Sequence, residues 1–187
     1  MEIKNSRLTT LPPALLKGLR KLKLYGNDDL HIDKQYLENL EEFEMGSQRA
    51  ISITLKKPKK IIVNNDLVRV FIEDVSELTH LEIANLNQIE SPNIPHTNDV
   101  VDLSKAFELK QFCTQVPLQQ VTFPITIKHL TFFGSIPVFS PQLLPNVTFL
   151  KISGASLANL DFSRFPNLRE LHIDQCWHDG ELKIGSS

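Results

Sequence analysis

The feature that most constrains this chain is a nine-residue pattern that occurs near both ends. Leu19-Arg-Lys-Leu22-Lys-Leu24-Tyr-Gly-Asn27 fits L-x-x-L-x-L-x-x-N, and Leu168-Arg-Glu-Leu171-His-Ile173-Asp-Gln-Cys176 fits the form with Cys in the last place. Weaker copies lie between them: Leu40, Phe43, Met45; Pro58, Ile61, Val63; Leu78, Leu81, Ile83; Leu109, Phe112, Thr114; Ile127, Leu130, Phe132; Val147, Leu150, Ile152. The second apolar position falls at 22, 43, 61, 81, 112, 130, 150 and 171, at intervals of 21, 18, 20, 31, 18, 20 and 21 residues. Met1 and Ile3, with Ser6 and Leu8, make one more copy 21 residues before the first. Nine units across residues 1–187 predict a single array in which each repeat buries its apolar face against the next.

Within each copy the L-x-L segment predicts a strand. Successive side chains alternate across a strand, so the two apolar residues point inward and the residue between them points out. The rest of each turn alternates as well, in Leu30-His-Ile32, Ile51-Ser-Ile53, Val70-Phe-Ile72, Val121-Thr-Phe123, Leu160-Asp-Phe162 and Leu182-Lys-Ile184. A turn of 18–21 residues leaves little room for a full helix, so these segments are expected to run extended along the back. Helices should be few, the best helical turn being Asp33-Lys-Gln-Tyr36-Leu37-Glu-Asn-Leu40, with apolar residues at i, i+1 and i+4. The 31-residue interval marks an insertion of about ten residues within 91–105. It reads as a surface loop followed by a short helix through Ala106 and Phe107, and long insertions in such arrays often gather on a binding face. An alternative makes Val101-Asp-Leu103 an extra strand, after which the two strand rows exchange roles.

The repeat resembles the leucine-rich repeat, over nearly the whole chain. Leu11-Pro12, Phe123-Pro124 and Leu144-Pro145, each a few residues before a repeat strand, are similar to two subtypes: the Leu-Pro repeats of bacterial effectors and the FNIP-like and BspA-like repeats. The Asn ladder is degraded, with Ser6, Asn27, Gln48, Asp66, Leu86, Pro117, Ser135, Ala155 and Cys176 in that place. The resemblance implies an α/β repeat fold that is mostly β: a right-handed leucine-rich-repeat solenoid with one long parallel sheet and short extended or helical segments on its back. It also implies an interaction module that binds a protein partner through the sheet face. Two rivals are the substrate-recognition part of an enzyme complex such as a ubiquitin ligase, and a self-assembling structural element that associates end to end.

Composition removes several other functions. Twenty Lys and Arg against 22 Asp and Glu give a formal charge of -2, which offers no basic field for nucleic acid or acidic lipid. The dense basic run Lys56-Lys57-Pro58-Lys59-Lys60 lacks aromatic neighbours and reads as a solvated turn. No run approaches 18 apolar residues and MEIKNSRLTT is not a secretory signal, so a cytoplasmic protein without a membrane span is expected. Asn146-Val147-Thr148 matches the glycosylation acceptor, but Val147 is expected in the core. None of the six histidines has an H-x-x-x-H or H-E-x-x-H spacing, and no Gly-rich phosphate loop or G-x-S-x-G occurs. No metal, cofactor or catalytic residue is therefore expected, although Cys113 and His129 face outward on neighbouring strands. Cys113 and Cys176 lie three repeats apart, about 15 Å at the strand spacing of a sheet, too far for a disulfide. Cys113 is expected on the sheet surface and Cys176 in the core.

The outward columns carry the functional signal. One runs Glu2, Lys23, Glu44, Ile62, Glu82, Cys113, Thr131, Lys151, His172, and the column beside it runs Lys21, Glu42, Lys60, His80, Gln111, His129, Phe149, Glu170. Signs alternate in the N-terminal half, where opposite charges on adjacent strands can pair. The C-terminal half instead presents Phe133 and Phe149 among His129, Thr131, Lys151 and His172, and these six residues form the candidate partner-binding surface. The alternative is that the insertion after Ser91 folds over these rings.

Overall fold

In the computed structural model, residues 1–177 are described except 28, 33–36, 38, 47–50, 66, 85–87, 98–99, 116–117, 140–142 and 159. The chain runs β1 (Glu2–Lys4), α1 (Pro13–Lys17), β2 (Lys21–Tyr25), β3 (Glu42–Gly46), β4 (Ile51–Leu55), β5 (Lys60–Val63), β6 (Val68–Ile72) and β7 (His80–Ile83). It continues with β8 (Ile89–Glu90), β9 (His96–Thr97), β10 (Val100–Asp102), β11 (Gln111–Thr114), β12 (Gln120–Thr122) and β13 (His129–Phe133). Then come β14 (Val138–Phe139), β15 (Phe149–Ser153), a 3-10 turn (Phe162–Arg164) and β16 (Glu170–Asp174). The architecture is a parallel β-solenoid. Its front is a nine-stranded parallel sheet in the order β1-β2-β3-β5-β7-β11-β13-β15-β16. Each of the nine expected repeat strands takes its place in that sheet.

The same local device sets up seven of the nine front strands. The N–H of the residue two places before the strand donates to a carbonyl three positions back: Leu19 to Leu16, Leu40 to Leu37, Leu78 to Val75, Leu109 to Ala106, Ile127 to Pro124, Val147 to Leu144 and Leu168 to Phe165. The turn thus closes on the first apolar residue of the pattern and aims the next residues into the sheet. The two inward side chains are fully buried: Leu22 and Leu24, Phe43 and Met45, Ile61 and Val63, Leu81 and Ile83, Phe112 and Thr114, Leu130 and Phe132, Leu150 and Ile152. After the strand the backbone swings into the left-handed region, at Asn5, Gly26, Gly134, Gly154 and Gln175. Glycine adopts that conformation without steric cost, and Gly26 has a second reason: a Cβ there would lie 2.2 Å from Asn5 Oδ1.

The Asn place works by satisfying backbone. Asn27 Oδ1 accepts from the Ser6 N–H (3.0 Å) and hydroxyl (2.8 Å), and Nδ2 donates to the carbonyls of Ile3 (2.7 Å) and Tyr25 (2.8 Å). One buried side chain therefore sews two repeats together where the strand ends, and buried backbone groups require such partners. At the other end the Cys176 thiol donates to the carbonyls of Ile152 (3.6 Å) and Asp174 (3.3 Å), a weaker version of the same stitch. Cys176 is half-buried rather than in the core.

The back is more ordered than isolated extended segments. β4, β6 and β8 form one small sheet, and β14, β12, β10 and β9 form another. The insertion supplies β9 and β10: Val100–Asp102 runs parallel to β12 and antiparallel to β9. The extra strand at Val101 therefore exists, but it joins the back, the rows do not exchange, and the inserted strands do not lie over the sheet face. Ala106 and Phe107 lie in turns rather than a helix. Leu160-Asp-Phe162 runs into the 3-10 turn instead of extending, with Asp161 Oδ1 capping Ser163 N–H (3.1 Å). Leu182–Ile184 and most of the turn expected at 33–40 lie outside the described residues. Between the layers sits a single apolar core, with an aromatic stack of Phe112, Phe123, Phe132, Phe139 and Phe165 toward its C-terminal end.

Repetition fails in one respect. The inward residues of β16, Leu171 and Ile173, are each 43% exposed, whereas Leu22 and Leu81 are 0% and 1% exposed. The pattern marks all four as core, but β16 is an edge strand of the described sheet and its inward face is left partly uncovered.

Candidate functional site

Register builds the front face row by row. Glu2, Lys23, Glu44, Ile62, Glu82, Cys113, Thr131, Lys151 and His172 are Cα partners across successive strands. Lys21, Glu42, Lys60, His80, Gln111, His129, Phe149 and Glu170 form the row beside it. Both columns expected from the sequence are therefore present as drawn.

The N-terminal half of this face neutralises itself. Lys21 Nζ lies 2.5 Å from Glu42, Lys23 Nζ lies 2.8 Å from Glu44, and the Tyr25 hydroxyl donates to the Glu44 carboxylate. The Lys23 ammonium is held above its ordinary range by its hydrogen bond to Glu44. Beside the strands Glu41 receives Arg20 (3.2 Å) and Lys59 (3.1 Å).

The C-terminal half carries a hollow of about 440 Å³ lined by His80, Glu82, Gln111, Phe112, Cys113, His129, Thr131, Phe133, Phe149 and Lys151. Side-chain size explains it. Cys113 and Thr131 are small outward residues, and larger neighbours rise around them. On one side a continuous ladder crosses the strands. The His80 ring meets Gln111 Oε1, Gln111 Nε2 meets His129 Nδ1 (3.1 Å), His129 stands edge-on to Phe149 at 5.6 Å, and Phe149 contacts His172 at 5.3 Å. On the other side Lys151 Nζ sits 5.7 Å from the centre of the Phe133 ring.

Five of the six candidate residues thus meet around one hollow, and His172 stands at its margin against Phe149, its ring 2.6 Å from Glu170. Phe133 and Phe149 are half-buried by these neighbours. The six candidates did not include His80, Glu82 and Gln111, which close the hollow toward β7, or Cys113, its floor. The columns already placed them there, and the readable signal was the dip in side-chain size at Cys113 and Thr131.

The wall is electrostatically shaped. Glu82 is held below the ordinary carboxylate range chiefly by His80 beside it, against the cost of its partial burial, with Asn64 helping. His80 Nε2 lies 3.9 Å from Glu82, beyond hydrogen-bond length, and is a buried atom without a hydrogen-bond partner among the described residues. The Cys113 thiol is pushed up to about 12 by desolvation and by the Glu82 charge, with Lys151 pulling weakly the other way. Its environment is the reverse of what activates a nucleophilic cysteine. Cys113 and Cys176 are both free thiols.

Among the described residues no cluster of His, Cys, Asp and Glu is arranged to hold a metal ion, and no helix is long and apolar enough to cross a membrane. Comparison with known protein families, with curated protein sequences and with solved structures returns no match to this chain.

Proposed function

We propose that this chain is a leucine-rich-repeat-type interaction module, right-handed and non-enzymatic, that works in the cytoplasm and binds a protein partner through the C-terminal half of its sheet face. The observation that carries the reading is the asymmetry of that face. Basic residues of the N-terminal strands meet carboxylates of their own sheet, while Phe133, Phe149 and Lys151 border an open hollow. Aromatic groups beside such a hollow gain most when covered, and binding energy concentrates in anchors of this kind. The repeat likeness is supported by Asn27, whose four hydrogen bonds tie two turns together.

The test is affinity capture from lysate with the intact chain, its Phe149→Ala variant and its Lys23→Ala variant, each checked for folding. A discrete protein retained by Lys23→Ala and lost by Phe149→Ala supports the reading. Loss with Lys23→Ala alone moves the site to the other half, and ligase subunits as the captured set would make the chain a substrate-recognition part. A second reading, self-association through β16, is favoured by the exposure of Leu171, Ile173 and Trp177. Sedimentation at increasing concentration decides it: oligomers dispersed by Leu171→Lys support it, and a monomer throughout ends it.

A further inference from the structure

The hollow has two poles of opposite sign, and their separation matches the geometry of an extended chain. Glu82 stands at one end of the row and Lys151 at the other, with Cys113 and Thr131 between them. Three strand steps at about 4.8 Å separate the two by about 14 Å. An extended peptide rises about 3.3 Å per residue, so residues i and i+4 span that distance. Its side chains alternate, so i, i+2 and i+4 all face the sheet together.

Each pole calls for a particular chemistry. The Lys151 ammonium rests against the Phe133 ring, and its row neighbours Thr131 and His172 bring no negative charge. The acids on the next strand are engaged elsewhere, Glu170 with His172 and Asp174 with the Ser153 hydroxyl. An incoming carboxylate would therefore find an available cation. At the other pole, Gln111 uses its amide nitrogen on His129 and so presents its oxygen to His80, which must place its proton on Nδ1. Beside that ring stands the Glu82 carboxylate, held in its ionised form. A carboxylate lining the hollow calls for a donor such as lysine or arginine. Between the poles, the floor of Cys113 and Thr131 flanked by Phe133 and Phe149 suits one apolar side chain.

We propose that the hollow recognises an extended, bipolar peptide segment of a protein partner, running across the strands. An acidic residue docks at Lys151, an apolar residue two positions away docks over Cys113 and Thr131, and a basic residue four positions away docks at Glu82. The proposal rests on the sheet-face reading above and gives it a ligand class.

The experiment uses the full chain and fluorescent nonapeptide pools. One carries Asp or Glu, Leu or Phe, and Lys or Arg at positions i, i+2 and i+4, in both chain directions. Controls carry the same residues at i, i+1 and i+2, or two like charges at the poles. The bipolar pool should bind about tenfold better than either control, because like charge at a pole is repelled while opposite charge is attracted. Lys151→Glu should reverse the sign preferred at that position, and Glu82→Gln should remove the preference for a basic residue, with both variants unfolding like the parent. Equal binding of all pools, weakened by Phe149→Ala, overturns the bipolar ligand and leaves the sheet-face reading standing. Binding insensitive to Phe149→Ala, Lys151→Glu and Glu82→Gln together overturns both. Absence of binding by every pool overturns the bipolar ligand.

Discussion

The two halves of the front sheet are built from the same repeat and differ in what they do with their outward residues. From β1 to β5 the row residues include lysine and glutamate in alternation, and Lys21 and Lys23 pair with Glu42 and Glu44 on the next strand. From β7 to β16 the same rows carry histidine, glutamine, cysteine, threonine and phenylalanine with the spaced charges Glu82, Lys151 and Glu170, and the side chains leave a hollow. Since the inward residues obey one rule in both halves, the backbone is indifferent to the outward choice. The outward rows are thus free to specialise, one half as a self-satisfied surface and the other as the anchor site proposed above.

The comparison is broken most severely through the core. Leu81→Asp should destabilise the array by about 4 kcal/mol or more, because a charge is stranded between the layers. Leu171→Asp, at the corresponding inward position of β16, should cost about 1 kcal/mol, since that side chain is already 43% exposed. Denaturant unfolding measures both, and equal losses would mean that the last strand is as enclosed as β7. Asn27→Ala comes next. It removes the acceptor of the Ser6 N–H and one donor each from the Ile3 and Tyr25 carbonyls, the latter still accepting from the Asn5 N–H, at a cost of about 1–3 kcal/mol.

Glycine sharpens the contrast between the ends. Gly26 and Gly134 both have positive φ, but a Cβ on Gly26 meets Asn5 while one on Gly134 meets nothing within 4 Å. Gly134→Ala should cost about 1 kcal/mol for the left-handed backbone, and Gly26→Ala about 1–2 kcal/mol because the Asn5 side chain must also move. The smallest effect is a titration. Glu82 has its folded-state pKa below the ordinary value, so its contribution is complete above that value and fades as pH falls through the folded one. In Glu82→Gln the loss of stability on acidification below about pH 4.5 should be shallower than in the parent. An unchanged acid limb would mean that His80 does not favour the ionised carboxyl.

What could be read from the chain follows from how local each property is. L-x-L fixes strand position and facing within three residues, so nine strands, their register and the outward columns were all legible. The back was legible only as extended segments. Whether Ile51–Leu55 and Val68–Ile72 join into a sheet depends on how turns stack, which no single segment encodes. The insertion shows the same limit: Val101-Asp-Leu103 alternates like a strand of either row, and only pairing with Gln120–Thr122 assigns it to the back. Exposure of Leu171 and Ile173 depends on the place of β16 at the edge of the described sheet, not on the residues themselves. The six-residue candidate surface was legible from the columns. Its end at His80, Glu82 and Gln111 was legible only through the small side chains of Cys113 and Thr131, because a hollow arises from relative side-chain sizes on four strands rather than from any one residue.

The most direct test of the central claim compares lysines on the two halves of one face. Amine acylation of the chain, alone and with its captured partner or best peptide bound, reports Lys21 and Lys23 against Lys151 in a single digest. Binding should slow modification of Lys151 severalfold and leave Lys21 and Lys23 unchanged, as expected when contact is confined to one patch. Protection of Lys21 and Lys23 with Lys151 unaltered would contradict it.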